Sequence, residues 1–187
     1  MARMMKSREA IQWALMELMR EKPFKDISVT EICRRANVSR TTYYRSYYSQ
    51  EEVLDDVLDT CFLEVEELLD ELPAATPSTA GLSLAEQVTI YRMLQCYQKH
   101  VVPLGIILES DMDFLLEDRV RAVVLRGLGA HEDACPAELN AYLYQEYTTA
   151  GMTRVTCAWI ASGCEIDIEQ VLRFFASASS TLSHGVL

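Results

Sequence analysis

Histidine and glycine are scarce in this chain: three His and seven Gly in 187 residues. His100, His131 and His184 sit in no nucleophile or metal motif, and no glycine-rich phosphate loop is present. An all-α enzyme therefore has little support, and the expectation is a protein that is not an enzyme. No apolar run is long enough to span a membrane, and the opening MARMMKSREA lacks the uninterrupted apolar core of a signal peptide. The expected setting is cytoplasmic, with no membrane partner. The six cysteines include no C-x-x-C pair. In a helical cytoplasmic chain they read as small buried apolar residues, and a thiol sensor among them would need an exposed cysteine of low pKa. His131 and Cys135 have a metal-like separation, but no second pair follows, so no metal and no cofactor is expected.

Charge of each sign is also missing from particular places. No acid lies between Glu31 and Glu51, and no Lys or Arg between Arg45 and Arg92. Residues 1–50 hold ten Lys/Arg against five Asp/Glu, while residues 51–187 hold seven against twenty-three. A net charge of −11 taken alone argues against a nucleic-acid partner. A basic head on an acidic body reverses that inference, because such a chain touches a duplex by one end only.

The basic window contains ISVTEICRRANVSRTTYYRSYY, residues 27–48. Ser28 and Glu31 stand in the S-x-x-E relation of a capping box, and Ile27 and Ile32 occupy the two positions of a hydrophobic staple. The spacing predicts a helix from Ser28 to about Ala36, ended by Asn37, a residue that tolerates a left-handed backbone. Val38 is placed to fill the corner. Ser39 then caps a second helix from Arg40 to about Tyr47. The result is a helix-turn-helix.

On the second helix Tyr43 and Tyr47, four apart, face inward and leave Thr41, Thr42, Tyr44, Arg45 and Tyr48 on the remaining surface. Arg40 reaches forward from the first turn. Arginine reads guanine edges and clamps phosphates, while threonine bonds phosphates and packs its methyl group on thymine. The surface suits a DNA major groove, although the same features also fit ordinary packing beneath a solvated basic face.

Ile27, Thr30, Glu31, Ile32, Ala36, Val38, Ser39, Thr42, Tyr44 and Tyr47, followed by Ser49, Glu51, Glu52 and Val53, together resemble the N-terminal domain of the tetracycline-repressor (TetR) family of regulators. The resemblance is strong over residues 6 to 58 and weak beyond. It implies an all-α fold, a three-helix DNA-binding head with a helix-turn-helix followed by a helical ligand-binding and dimerisation body. The corresponding domains are residues 1–50 and 51–187. The expected DNA-binding residues are Ser28, Thr30, Ser39, Arg40, Thr41, Thr42, Tyr44, Arg45, Tyr48 and Gln50. Arg3, Lys6 and Arg8 of the first helix are placed by the resemblance to graze the DNA backbone. Gln50 departs from the pattern, standing where the family has a lysine that binds a DNA phosphate, and Asn37 replaces a glycine.

The periodicity of Ile11, Ala14, Leu15, Leu18 and Met19 predicts a first helix from Lys6 to about Glu21, ended by Pro23. A second capping box, Ser49 and Glu52, opens a long helix from Gln50 to Glu71 with a broad apolar stripe. Residues 73–83 read as a loop, and Ser83 with Glu86 caps a helix running to about His100, stopped by Pro103. Short helices follow around 104–109 and 112–128, then long ones from Pro136 to Gly163 and from Glu165 to about Ser183. Broken helices around apolar side chains leave room for a small apolar or aromatic effector. Met93, Tyr97, Ile107, Met112, Phe114, Leu115, Tyr144 and Tyr147 are its candidate lining, against the alternative that a Met and aromatic stripe is simply core.

The resemblance further implies a homodimer in which the last two helices pair with their copies as a four-helix bundle, through Ala150, Gly151, Trp159, Val171, Phe174, Phe175 and Ala178. The function it implies is a transcriptional regulator, a repressor on a palindromic double-stranded DNA operator. The alternative is a regulator of the same fold controlled by a protein partner, with weakened or lost DNA binding, which the missing lysine at position 50 motivates.

Overall fold

The computed structural model describes residues 2–71, 82–128 and 139–184. Those residues are helical with no strand among them: α1 Ala2–Met19, a 3-10 turn Phe24–Asp26, α2 Val29–Arg35, α3 Arg40–Tyr44, α4 Gln50–Asp70, α5 Leu84–Lys99, α6 Val101–Leu108, α7 Asp113–Gly127, α8 Leu139–Ala161 and α9 Ile168–His184. The expected all-α class holds. Most of the predicted loop at 73–83, and His131, Cys135 and Pro136, lie outside the described residues.

The chain divides into two compact units, residues 1–61 with 102–116, and residues 62–101 with 117–187. The first unit takes in α1, α2, α3, the opening turns of α4 and nearly all of α6, so α6 belongs with the helix-turn-helix. Ile11, Ala14, Leu15, Leu18, Ile32, Tyr43, Val53, Leu54, Leu104 and Ile107 are buried in it. Each large apolar side chain so buried stabilises the unit by about 1.5–3 kcal/mol relative to exposure. The second unit buries Phe62, Val65, Leu94, Tyr97, Val120, Cys157, Trp159, Ile160, Val171 and Phe175.

Local signals set the helix ends. The Ser28 side chain accepts from the Glu31 backbone N–H, and the Glu31 carboxylate accepts from the Ser28 N–H at 3.0 Å, closing the capping box. At the other end of α2, Asn37 takes φ +53°, Val38 N–H donates to the Cys33 carbonyl at 3.0 Å and Asn37 N–H to the Arg34 carbonyl at 3.3 Å. This is the Schellman pairing that satisfies the last carbonyls of a helix. Gly163, at φ +76°, repeats it after α8, with Cys164 N–H on the Trp159 carbonyl at 3.0 Å. Ser83 and Glu86 close a full capping box at α5. At α4 only half of the expected box forms: the Glu52 N–H donates to Ser49 Oγ at 3.3 Å, while the Glu52 carboxylate takes the Tyr48 N–H at 2.7 Å.

Several boundaries differ from the sequence reading: α1 opens at Ala2 and not Lys6, α6 at Val101 and not 104, and α9 at Ile168 and not Glu165. The helix α3 ends at Tyr44 rather than near Tyr47, with Tyr47 held as a buried anchor whose hydroxyl donates to Asp56 Oδ2. Pro103 stops nothing. It is the third residue of α6, and the break comes before it at His100. In a first turn the N–H that proline lacks has no intrahelical partner anyway.

The left-handed residue at 37 gives a direct test. Asn37→Ala should lower unfolding stability by ~1–2 kcal/mol, the cost of placing an ordinary L residue there, whereas Asn37→Gly should hold it; urea unfolding midpoints measure both. The capping box gives a second. Hydrogen bonds from Lys22 and from the Ser28 side chain and backbone hold the Glu31 carboxyl down at about 2. A carboxylate lowered by folding contributes stability above its unfolded value, near ~4.3, and loses it as pH falls through the folded one. Wild-type stability should therefore fall more steeply than that of Glu31→Gln between those two values, as read by circular dichroism of urea-unfolded samples across pH.

Candidate nucleic-acid interface and interior cavity

Three elements hold the helix-turn-helix from beneath. Tyr43 is wholly buried and donates its hydroxyl to the Ser49 carbonyl at 2.8 Å. The carboxylate of Asp56 on α4 accepts from the Tyr47 hydroxyl, from Gln12 Nε2 at 2.7 Å and pairs with Arg8 at 2.8 Å. The Arg8 guanidinium also lies 5.1 Å over the Tyr47 ring, within cation–π reach. Burial pushes the Asp56 carboxyl up, but the bonds from Tyr47, Arg8 and Gln12 outweigh it and the net direction is down. Arg8, expected by resemblance to graze DNA, is thus engaged inside the unit.

The opposite side of this assembly is open. Ser28, Thr30, Arg34, Ser39, Arg40, Thr41, Tyr44, Arg45 and Tyr48 are exposed, Tyr44 to 51% and Tyr48 to 81%, while Thr42 is half-buried. The Ser39 and Ser28 hydroxyls serve as helix caps. The Thr42 hydroxyl lies 3.0 Å from that of Ser39, and an Arg40 guanidinium nitrogen donates to the Thr30 hydroxyl, which joins the exposed rims of α2 and α3. Arg35 is paired with Glu21 at 2.8 Å and Lys22 with Glu31 at 2.7 Å. Arg34, Arg40 and Arg45 have no acidic partner among the described residues. They present uncompensated charge beside Thr41, Tyr44 and Tyr48, a donor set suited to phosphates and base edges. Gln50 is half-buried and turns its amide to the Phe24 carbonyl at 3.4 Å.

The second unit contains a cavity whose empty space, mouth included, is about 590 Å³. One wall is Glu86, Thr89, Ile90, Met93, Leu94 and Tyr97 of α5, spaced i, i+3, i+4, i+7, i+8 and i+11. Val120, Val123, Val124, Gly127 and Leu128 form a second stripe at the same spacing, and Met152, Thr156 and Phe175 come from α8 and α9. Of the eight residues expected to line an effector site, Met93 and Tyr97 are on this cavity. Ile107, Met112, Phe114 and Leu115 belong to the first unit, where Ile107 is fully buried and Phe114 is 51% exposed. Tyr144 is half-buried and Tyr147 is 66% exposed, and neither is on the wall. The α5 and α7 stripes are visible in the sequence, but their pattern is that of any core face.

Residues expected at a dimer contact also separate. Trp159, Val171 and Phe175 are buried within the single chain, and the Trp159 indole N–H donates to the Ile166 carbonyl at 2.7 Å. Their apolar surface is already spent on the core, so a second chain has little of them to meet. Ala150, Gly151 and Phe174 are exposed and Ala178 is half-buried. Cys33, Cys61, Cys96, Cys157 and Cys164 are free and buried. Burial pushes their thiols up, Cys61 to about 12 and Cys157 and Cys164 to about 11, which suppresses the thiolate a redox sensor needs. No group of three or more His, Cys, Asp or Glu among the described residues is arranged to hold a metal ion.

No family model matches the chain. Over 87 residues, 46% of its length, it is 31% identical to the uncharacterised HTH-type transcriptional regulator YxbF of Bacillus subtilis (strain 168). That match takes in 22% of the relative, so the chain spans less than a quarter of the length of the curated protein it is similar to. Two solved structures align along nearly all of both chains. One is the dihydroxyacetone kinase operon activator DhaS, with TM-score 0.58, 18% identity and coverage of 95% of this chain and 96% of that one. The other is a TetR transcriptional regulator from Streptococcus agalactiae 2603V, with TM-score 0.60, 17% identity and the same coverages. Helix order, the capped helix-turn-helix and these alignments agree that the chain has the all-α fold of the TetR transcriptional regulators.

Proposed function

We propose that this chain is a DNA-binding transcriptional regulator, a repressor that grips a palindromic operator as a homodimer and is released by a small, largely apolar effector. The observation that carries the reading is the absence of any acid from Ile32 to Gln50, with exposed Arg34, Arg40 and Arg45 in that window having no acidic partner among the described residues. Residues 1–50 serve as the DNA-binding head and residues 51–187 as the ligand-binding and dimerisation body. Arg40, Thr41 and Thr42 carry sequence preference, while Ser28, Thr30, Ser39, Tyr44, Arg45 and Tyr48 fix register on phosphates. The Arg40–Thr30 bond pre-sets the arginine in the free protein. The similar proteins bear the names of regulators and of an operon activator, which supports a regulator and not an enzyme. No described helix is long and apolar enough to cross a membrane, in keeping with a cytoplasmic setting beside DNA.

Dimerisation is assigned to the exposed face of α8 and to Phe174 of α9. Leu143, Tyr147, Ala150, Gly151, Arg154 and Ala158 share one side of α8, and Leu143, Tyr147 and Phe174 are each more than half exposed. Large apolar side chains grouped this way suit a second copy, with Ala150 and Gly151 allowing close helix approach. The effector signal would travel along α4, a continuous helix of 21 residues whose first half belongs to one unit and second half to the other.

A second reading, control by a protein partner with weakened DNA binding, is favoured by Gln50, whose amide is turned to Phe24 and adds no charge toward a phosphate. Duplex binding across a salt series separates the two. Direct phosphate contact gives a slope of log K against log salt of about −0.9 per phosphate neutralised, and a slope near zero would sink the DNA-binding reading. On an operator selected from random duplexes, Arg40→Ala should lose ~1–3 kcal/mol of discrimination while binding to random duplex falls less. Equal losses on both duplexes would reassign Arg40 to phosphate.

For the dimer, Phe174→Glu should yield monomers that hold half-sites poorly, whereas Phe175→Glu should unfold the body, since Phe175 is buried within its own subunit. Light scattering and circular dichroism distinguish the outcomes. A folded Phe174→Glu dimer of unchanged mass would remove Phe174 from the interface.

A further inference from the structure

The cavity between α5, α7, α8 and α9 is lined mainly by Leu, Ile, Val, Met and Phe, and its polar side chains are Glu86, Thr89, Tyr97 and Thr156. Tyr97 is buried, its ring meets Phe62 edge-on at 5.6 Å, and its hydroxyl has no hydrogen-bond partner among the described residues. Buried hydroxyls are almost always paired, so an unpaired one on a cavity wall marks a place where a ligand or water oxygen completes the bond. Burial raises the phenol pKa far above neutrality, so the hydroxyl keeps its proton and acts as donor. Thr156 of α8 also lines the cavity.

Among the described residues, charge on the wall is confined to Glu86. Its carboxylate is held by the Ser83 N–H at 2.6 Å, as part of the α5 cap. Glu86 and Tyr97 are eleven residues apart on one helix, roughly 16 Å at 1.5 Å per residue. Among the described residues no Lys or Arg lines the space, so an anion entering it would shed its water without a counter-charge from them.

We infer that this cavity binds a neutral, elongated, mainly hydrocarbon molecule whose carbonyl, hydroxyl or ether oxygen accepts the Tyr97 hydroxyl proton in a hydrogen bond, and that it rejects carboxylates of the same length. The inference rests on the reading of the chain as an effector-responsive regulator, and it names the chemistry of that effector and its polar anchor.

The test is calorimetric titration of the full chain, without DNA, with decan-2-one and with decanoate. Decan-2-one should bind at one site per chain, with decanoate at least about tenfold weaker. Tyr97→Phe keeps the ring and its packing on Phe62 and should weaken the ketone about three- to tenfold, the net effect of one neutral hydrogen bond. Val123→Trp, which fills the cavity, should abolish binding in protein shown by circular dichroism to be folded. The inference is overturned if decanoate binds as well as the ketone, if Tyr97→Phe binds the ketone unchanged, if a folded Val123→Trp still binds it, or if the wild type takes up no ketone. Duplex binding of the same preparation is scored separately. A chain that binds DNA but no ketone defeats this inference alone, and one that binds the ketone but no duplex defeats the regulator reading alone.

Discussion

Asp56 is the point on which the first unit depends. Its carboxylate joins Arg8 and Gln12 of α1 and the Tyr47 hydroxyl that follows α3 to α4 itself. One acid thereby fixes the start of the chain, the second helix of the helix-turn-helix and the long helix in a single arrangement. Each hydrogen bond to such a charge contributes about 1.5–3 kcal/mol where it is buried. Solvent screening lowers that here, because the Arg8 side chain is 45% exposed. The more important effect is geometric. With Tyr43 bonded to the Ser49 carbonyl and Tyr47 to Asp56, α3 of only five residues keeps one side fixed and presents the other. An isolated helix that short would not persist in water.

The two units handle charge in opposite ways. In the second, Arg92, Lys99, Arg119, Arg126 and Arg154 each pair with a glutamate or aspartate. These are exposed pairs worth little to stability. Their consequence is that the surplus acid of residues 51–187 is left with few free cations to offset it, so that surface repels a polyanion. In the first unit Arg8, Lys22 and Arg35 are paired, yet Arg34, Arg40 and Arg45 are not. The basic residues that structure needs and those that a duplex would use are therefore different residues, a division that net charge by segment does not reveal.

What could be read from the sequence was local. Ser28 with Glu31, Asn37, Ser39, and Ser83 with Glu86 act within four residues of themselves, and each helix end they specify is where the letters place it. Pairing between distant faces was not legible. Trp159, Val171 and Phe175 were read as surfaces for a second chain, but an apolar stripe does not say whether its partner is in the same subunit. Ile107, Met112, Phe114 and Leu115 look like cavity lining in the sequence because their segment is broken and apolar. The turn after α6 instead serves the first unit, where Asp111 accepts the Phe24 N–H at 2.8 Å across 87 residues of chain. An aspartate beside a turn gives no hint of so distant a partner.

Phe24 brings these strands of argument together. Its ring is buried, its N–H is taken by Asp111 and its carbonyl lies 3.4 Å from the Gln50 amide. Position 50 is where the resemblance calls for a lysine on a phosphate, and a lysine carries a strongly hydrated charge that resists a half-buried place. Glutamine at this point instead satisfies backbone inside the unit, at the first residue of α4. The departure thus exchanges one outward charge for one inward, weak bond at the junction of the 3-10 turn and α4. Arg34, Arg40 and Arg45 remain as the cations of the motif with no acidic partner among the described residues, and none of them lies on α4. Three bonds couple the end of the helix-turn-helix to the long helix and its cap, the Tyr47 hydroxyl on Asp56, the Tyr48 N–H on Glu52 and the Tyr43 hydroxyl on the Ser49 carbonyl, so a displacement of α4 is carried to α3 through all three.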